Sequence, residues 1–181
     1  MVTPAQSQGS GSTSRLSRNL VLALIGVTLA LHDAEEFFAF PLFLPTLGRR
    51  MPSWMPSPAT QHNIANLRIA LIFATLLPCI VIACAIVTRI HGFLLASLFV
   101  EVILLVNAFA HTLTALLLRS YVPGLVTAIL INLPFGIYVF RRSIREGWIR
   151  RYRAWQFVII AILVHVVWLA TGVMRAQGMS R

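Results

Sequence analysis

The segment LALHDAEEFFAFPLF, residues 29–43, places a histidine and three acidic residues between two apolar runs. The chain has only five acidic residues in 181, and three of them, Asp33, Glu35 and Glu36, lie in this segment. On an α-helix, Glu35 and Glu36 fall about −60° and +40° from His32, so these three side chains share one face, whereas Asp33 points away from it. The segment therefore predicts a continuous helix that carries a polar face within an apolar surrounding.

The rest of the chain is apolar enough to predict membrane-spanning helices. Hydrophobic residues make up 58% of it and charged residues 11%, against about 25% charged residues in a typical soluble domain. Several apolar runs reach the roughly 20 residues that cross a hydrocarbon core. We therefore predict an all-α, polytopic transmembrane helix bundle of about five spanning helices, at residues 16–44, 64–87, 92–118, 122–140 and 155–173.

These helices are expected to form a single domain, residues 17–174. It is flanked by a disordered polar tail, 1–16, and by a short polar tail, 175–181. No signal peptide is expected, because the first apolar run starts late and continues into the acidic cluster. Prolines are expected to bend or end the first helix at Pro41 and Pro45 and to allow a kink in the second at Pro78.

The positive charge indicates an orientation in a membrane. The net charge of +10 comes from fifteen arginines and no lysine, and most of the arginines lie in the short connections between apolar runs. With five spans, nine arginines lie on the N-terminal side and six on the other. This bias predicts a cytoplasmic N-terminus, in a bacterial inner membrane, with anionic lipid as a partner. No nucleic-acid partner is expected, because no basic groove or RNA motif accompanies the charge.

The acidic cluster is costly in a membrane. Three acids in mid-span cost about 7–10 kcal/mol on an insertion scale, whereas the apolar residues of the same span contribute on the order of −4 to −8 kcal/mol. The acids are therefore expected to be neutralised by protons or by a metal ion, or to line a wet cavity.

Partners for the cluster are predicted at the same depth. In the third span, Asn107 and His111 are spaced i, i+4 and lie about 22 and 28 Å along their helix, next to about 20 and 25 Å for His32 and Glu36. Asn107 is expected to orient His111. Asn132 and His165 are added to this layer as lining residues, with interhelical hydrogen bonding as the alternative role of each. Glu101 lies about 15 Å lower than His111 and is not placed in the layer.

The HDAEE sequence at 32–36 resembles the signature of the HXXEE family of integral membrane proteins. A downstream histidine, His111, and the sequence YVPG, Tyr121 to Gly124, match further landmarks, so that the resemblance covers about residues 20–140. The family's function is undefined. What the resemblance implies is a set of positions of interest: His32, Glu35, Glu36, His111, Tyr121, Pro123 and Gly124. Tyr121 is interpreted either as an interfacial anchor or as a residue that caps the site and donates a proton or a hydrogen bond.

Three functions fit this pattern. The first is a metal-dependent membrane enzyme for a lipid-soluble substrate, with Zn, Fe or Mn bound by His32, His111 and one or both of Glu35 and Glu36. The second is metal-free proton chemistry, with a Glu of raised pKa as acid and a His as base, in a lipid isomerase or a proton-coupled transporter. Glu35, Glu36 and Tyr121 are the candidate catalytic residues. The third is a non-catalytic bundle whose polar layer specifies helix packing. The sequence predicts no oligomeric state.

Overall fold

The computed structural model describes residues 16–50 and 61–178, with side chains at 16–43 and 64–167. The chain forms five helices in these ranges, which confirms the predicted all-α class. They are α1 (Arg18–Arg50), α2 (Gln61–Thr88), α3 (His91–Leu118), α4 (Leu125–Arg145) and α5 (Arg151–Gly178). Most of the predicted N-terminal tail, the proline-rich connection at 51–60 and residues 179–181 lie outside the described residues.

Helix α3 lies at the centre and packs against the other four helices. Pairs of side-chain contacts give the relative directions of the helices. Helix α1 runs parallel to α3, since His32 contacts Asn107 and Glu36 contacts His111. Helix α5 also runs parallel to α3, since Phe157 contacts Phe99 and His165 contacts Asn107. Helix α2 runs antiparallel to α1, and α4 runs antiparallel to α3, in agreement with the short connections between consecutive helices. The first turns of α1, α3 and α5 therefore lie at the same end of the bundle.

Three helices are long and apolar enough to cross a membrane: Ile64–Thr88, His91–Leu118 and Leu125–Arg145. Passage of α1 and α5 across the membrane stays a prediction. Helix α1 does not end at Pro41 or Pro45 but continues to Arg50, so the expected end at these prolines was wrong. A proline removes only one backbone hydrogen bond, and an apolar surrounding tolerates this loss better than unwinding of the whole segment.

The apolar core occupies the end of the bundle where α1, α3 and α5 begin. It is built from side chains of all five helices and of the turn between α4 and α5, namely Val21, Leu22, Ile25, Ile82, Ala85, Leu94, Leu98, Val139, Trp148, Ile149 and Ala154. Cys79 and Cys84 of α2 are free cysteines. The other half of the bundle contains His32, Asn107 and their polar neighbours, so the packing of the core positions this polar layer from below.

Helix α4 has an irregular start. It begins after Gly124, which has a φ of 85°, makes one short α-helical turn, and widens into a π-helical segment at Ala128–Asn132. Pro134 follows directly and accounts for the wide turn, because its ring crowds the carbonyl group four residues earlier and it has no N–H to donate. The helix then continues in the regular form to Arg145.

The start of α1 is held to the end of α4 by Arg142. This side chain is 5% exposed, and its three nitrogen groups donate to the Leu16 carbonyl at 2.7 Å, to the Tyr138 hydroxyl at 2.7 Å and to Glu146 Oε1 at 2.8 Å. The guanidinium group also lies 5.1 Å from the centre of the Trp148 ring. The planar guanidinium group of Arg142 thus joins the start of α1 to the end of α4.

Replacement of Arg142 is expected to destabilise the bundle. Arg142→Leu leaves the Leu16 carbonyl and Glu146 without their donor and should cost about 2–4 kcal/mol. Arg142→Lys should recover only part of this loss, because an ammonium group does not reproduce three divergent donors. The measurement is thermal or denaturant unfolding in detergent, with the exposed neighbour Arg141→Leu as the control. Equal stability of Arg142→Leu and Arg141→Leu would contradict the assigned role.

Candidate functional site

Three side chains of α1 and α3 converge to form what we call the His–Glu–His group: His32, Glu36 and His111. Their ligand atoms all lie within 4.8 Å of one another. Glu36 Oε1 is 2.8 Å from His111 Nε2 and 3.6 Å from His32 Nε2. The two imidazole rings meet edge to face with centres 5.1 Å apart. The predicted meeting of the two motifs at one depth is thus confirmed.

The hydrogen bonds of His32 define which nitrogen carries the proton. The hydroxyl group of Thr127 donates to Glu35 Oε2 at 2.7 Å, so its oxygen accepts from His32 Nδ1 at 2.9 Å. In the neutral ring, Nε2 then carries the lone pair, which accepts from Asn107 Nδ2 at 2.8 Å and faces Glu36. His32 is 1% exposed, and this network holds its ring in one orientation.

Asn107 contacts two histidines, neither of which is the predicted partner His111. Its Oδ1 accepts from His165 Nε2 at 3.0 Å, and its amide group contacts His32 as described. The expected contact from Asn107 to His111 is wrong. The two residues share one face of α3, but His111 contacts Glu36, whereas Asn107, one turn earlier, lies between α1 and α5. His165 is therefore part of the polar layer.

Glu35 is separated from Glu36 and is bound by the first turn of α4. Its carboxylate accepts from the backbone N–H groups of Val126 and Thr127 at 3.1 and 2.7 Å, and from the Tyr121 hydroxyl at 2.6 Å. The free N–H groups of a helix start favour a carboxylate at this position. Burial and the hydrogen bond to Glu35 raise the pKa of Tyr121, so its hydroxyl remains a donor. The structure thus shows a hydrogen bond of the kind that one interpretation of Tyr121 expected, whereas its role as an interfacial anchor stays a prediction.

Gly124 explains why the start of α4 can approach α1 so closely. A Cβ atom at this position would lie 2.8 Å from His32 Cε1 and 3.1 Å from Glu36 Oε1. The φ of 85° also lies in the left-handed region that glycine adopts without strain. The glycine of YVPG is therefore required by both the backbone conformation and the neighbouring side chains, and Pro123 precedes it in the turn just outside the helix.

The remaining polar residues lie apart from the His–Glu–His group. Asp33 faces α2, as the helix geometry predicted, and accepts from the Thr75 hydroxyl at 2.5 Å. Asn132 is buried in the π-helical segment, and its amide atoms have no hydrogen-bond partner among the described residues. Arg68 packs its guanidinium group 4.8 Å from the centre of the Phe37 ring.

Sequence reasoning missed Thr127, which links His32 to Glu35. A signal for it was present: it lies three residues after the glycine of YVPG, in the first turn of a helix, where hydroxyl side chains and free N–H groups bind anions. Thr75, the partner of Asp33, has no comparable signal, because its position against α1 depends on how the two helices are rotated.

The order of HDAEE, His111 and YVPG along one chain matches a known family over residues 23–139, described as proteins of unknown function with an HXXEE motif. The chain belongs to the HXXEE family. No curated protein and no solved structure matches it. The matched range contains the His–Glu–His group, Glu35 and Tyr121, whereas His165 on α5 lies beyond it.

Replacement of Gly124 by alanine should distort the His–Glu–His group. A methyl group there overlaps the His32 ring and the Glu36 side chain, and adds backbone strain of about 1–2 kcal/mol. The matched control is Gly147→Ala, since Gly147 also has a positive φ but no atom near the added methyl group. Gly124→Ala should lose more stability in unfolding experiments than Gly147→Ala. Equal losses would show that only the backbone strain matters.

Removal of the Thr127 hydroxyl should release His32. In Thr127→Val, the Nδ1 proton of His32 loses its acceptor and Glu35 loses one of its donors, at a cost of about 1–3 kcal/mol. Thr127→Ser keeps the hydroxyl and should recover most of the loss. The ring ¹⁵N resonances of labelled His32 report its tautomer, and an unchanged spectrum in Thr127→Val would contradict the assigned hydrogen bond.

Proposed function

We propose that the His–Glu–His group is a transition-metal site and that the protein is a metal-dependent membrane enzyme acting on a lipid-soluble substrate. The observation that carries the proposal is the convergence of two imidazole nitrogens and one carboxylate oxygen from two helices. Two histidines and one carboxylate are the protein ligands of many catalytic zinc and non-haem iron sites, which keep a further position open.

The distances fit a metal ion with little rearrangement. Bonds of about 2.0–2.2 Å place neighbouring ligand atoms of a tetrahedral site roughly 3.3–3.5 Å apart. The separation of 3.6 Å between His32 Nε2 and Glu36 agrees with this spacing. The 2.8 Å contact between His111 Nε2 and Glu36 is a hydrogen bond and would have to lengthen. Asn107 would turn its amide group away from His32 Nε2 to admit the ion.

The surrounding hydrogen bonds also support metal binding. Histidine ligands of metals usually donate their second N–H group to a carboxylate, a carbonyl or a water, which fixes the tautomer and raises the basicity of the ring. His32 does this through Thr127, whose hydroxyl transmits the negative charge of Glu35. Because Glu35 already accepts four hydrogen bonds, we assign it a positioning role rather than that of a general base.

A bound metal would supply an activated water or oxygen at its open position. Glu36 and His111 are 16% and 17% exposed, and they form the accessible edge of the group. Both helices also expose apolar side chains that lipid would surround, including Phe38 and Phe109. A substrate dissolved in lipid fits such an approach, and membrane lipid is the expected partner. The cytoplasmic N-terminus and the bacterial inner membrane remain part of this proposal.

A second candidate function is metal-free acid/base chemistry. The observation that favours it is the direct 2.8 Å pair of His111 and Glu36, in which one proton is shared between a base and an acid. A chain of hydrogen bonds from His165 through Asn107, His32 and Thr127 to Glu35 lies beside this pair. Such an arrangement would suit a lipid isomerase or proton-coupled transport.

Metal content separates the two functions. The purified full-length protein is expected to contain about one Zn, Fe or Mn ion per chain, as determined by elemental analysis after exhaustive dialysis. His111→Ala and Glu36→Gln should each lose the ion or lower its affinity by roughly 10- to 100-fold or more. His91→Ala, at the exposed start of α3, is the matched histidine control and should keep it.

The variants of Glu35 and Asp33 refine this test. Glu35→Gln should retain the metal with reduced affinity, because Glu35 acts through Thr127, whereas Asp33→Asn should bind like the wild type. The proposal is wrong if the wild type holds no stoichiometric metal under these conditions. Folded, metal-free protein whose proton uptake depends on His111 and Glu36 would instead establish the second function.

A further inference from the structure

Glu101 is a buried carboxyl group that takes no part in the proposed function. It lies in the middle of α3 and is 2% exposed, and neither of its oxygens has a hydrogen-bond partner among the described residues. Gly136 of α4 allows this position, since a Cβ atom there would lie 3.1 Å from Glu101 Oε1. An ionised carboxylate without a donor or a cation would be very unfavourable in such a place, so Glu101 carries a proton.

A small cavity adjoins Glu101 and leads toward the arginine-rich turn between α4 and α5. Its lining comes from α3, α4, that turn and the start of α5, and includes Ser143, Ile149 and Ala154. Among the described residues, Glu101 is the only titratable one that lines it, and the Ser143 hydroxyl donates to the Phe140 carbonyl at 2.9 Å. The space suits a water molecule that would bond to the unpartnered carboxyl oxygens.

On its other side, Glu101 lies below the polar layer. Along α3, six residues or about 9 Å separate it from Asn107. On α4, Asn132 lies one turn above Gly136, the residue in contact with Glu101, and five residues below Thr127. Asn132 is 1% exposed and its amide oxygen and nitrogen are both unpartnered among the described side chains. It therefore occupies the interval between the carboxyl group and the His–Glu–His group.

We propose that Glu101 and Asn132 form a water-bearing proton relay between the arginine-rich end of the bundle and the His–Glu–His group. Glu101 donates its proton to water held at Asn132 and takes another proton from water in the cavity, so that its O–H bond is broken and remade. No electrons are transferred and the charge of the carboxyl group is restored after each transfer. The relay requires no bound metal, and would serve either candidate function.

The π-helical segment supports this role for Asn132. Successive residues of a regular α-helix are rotated by a constant angle about the helix axis. The wide turn Ala128–Asn132 changes this angle and therefore the direction in which Asn132 projects. Asn132 is buried between helices, on the opposite side of α4 from Leu130, which is 69% exposed. An asparagine that served only to pack α3 against α4 would be expected to bond to a partner across the interface.

Infrared spectroscopy tests the carboxyl group directly. In the full-length protein in lipid nanodiscs, the wild type should show a carbonyl band of a neutral carboxyl group that is absent in Glu101→Gln. This band should shift in D₂O, and the shift should be slowed roughly tenfold or more in Ala154→Leu, which fills the cavity. Lack of any difference between wild type and Glu101→Gln would show an ionised Glu101 and overturn the proposal.

Proton exchange at His32 tests the relay. The ring N–H of His32 exchanges with water, and solid-state NMR of histidine-labelled protein measures the rate. Glu101→Gln and Asn132→Leu should each slow this exchange roughly tenfold or more, whereas Arg141→Gln at the exposed end of α4 should leave it unchanged. Unchanged exchange in Glu101→Gln would mean that protons arrive through the exposed edge at Glu36 and His111. Metal binding by Glu101→Gln should equal that of the wild type, so the two proposals fail independently.

Discussion

The carboxylate of Glu35 bound at the start of α4 is the interaction on which the polar layer depends. Four donors from Tyr121, Val126 and Thr127 surround it, and they belong to the first turn of α4 and the connection before it, 86 or more residues away in the chain. A helix start offers unpaired N–H groups, and in an apolar bundle they need an acceptor as much as the carboxylate needs donors. This mutual requirement draws α1 and α4 together and puts Thr127 beside His32.

The two halves of the bundle have different tasks. At one end, apolar side chains and the Arg142 cluster fix how α1, α3 and α4 are arranged. At the other end, the contacts are polar, and a displacement of a few tenths of an ångström would weaken them. A polar site can be this demanding only if its helices are held elsewhere, since side chains on mobile helices would not keep His32, Glu36 and His111 in register. The apolar end thus supplies the rigidity that the polar end uses.

The helices and the meeting of their polar faces could be predicted from the sequence, because periodicity and rise per residue depend on one helix at a time. His32 and Glu36 were correctly matched in depth with Asn107 and His111. The division of labour between Glu35 and Glu36 could not be predicted, because it depends on how α1 is rotated against α3 and α4. The same holds for the partner of Asn107. The contribution of Thr127 required knowing that α4 begins just before it, at Gly124.

The position of Asn107 between two imidazole rings has a consequence for both of them. Its amide nitrogen donates to His32 and its oxygen accepts from His165, so a half-turn of the amide would reverse both bonds together. The reversed state would place the His165 proton on Nδ1, facing the Ala161 carbonyl at 3.2 Å. It would also oblige Thr127 to donate to His32 in place of Glu35. The negative charge on Glu35 opposes that change, and so one carboxylate on α1 selects the tautomer of a histidine on α5.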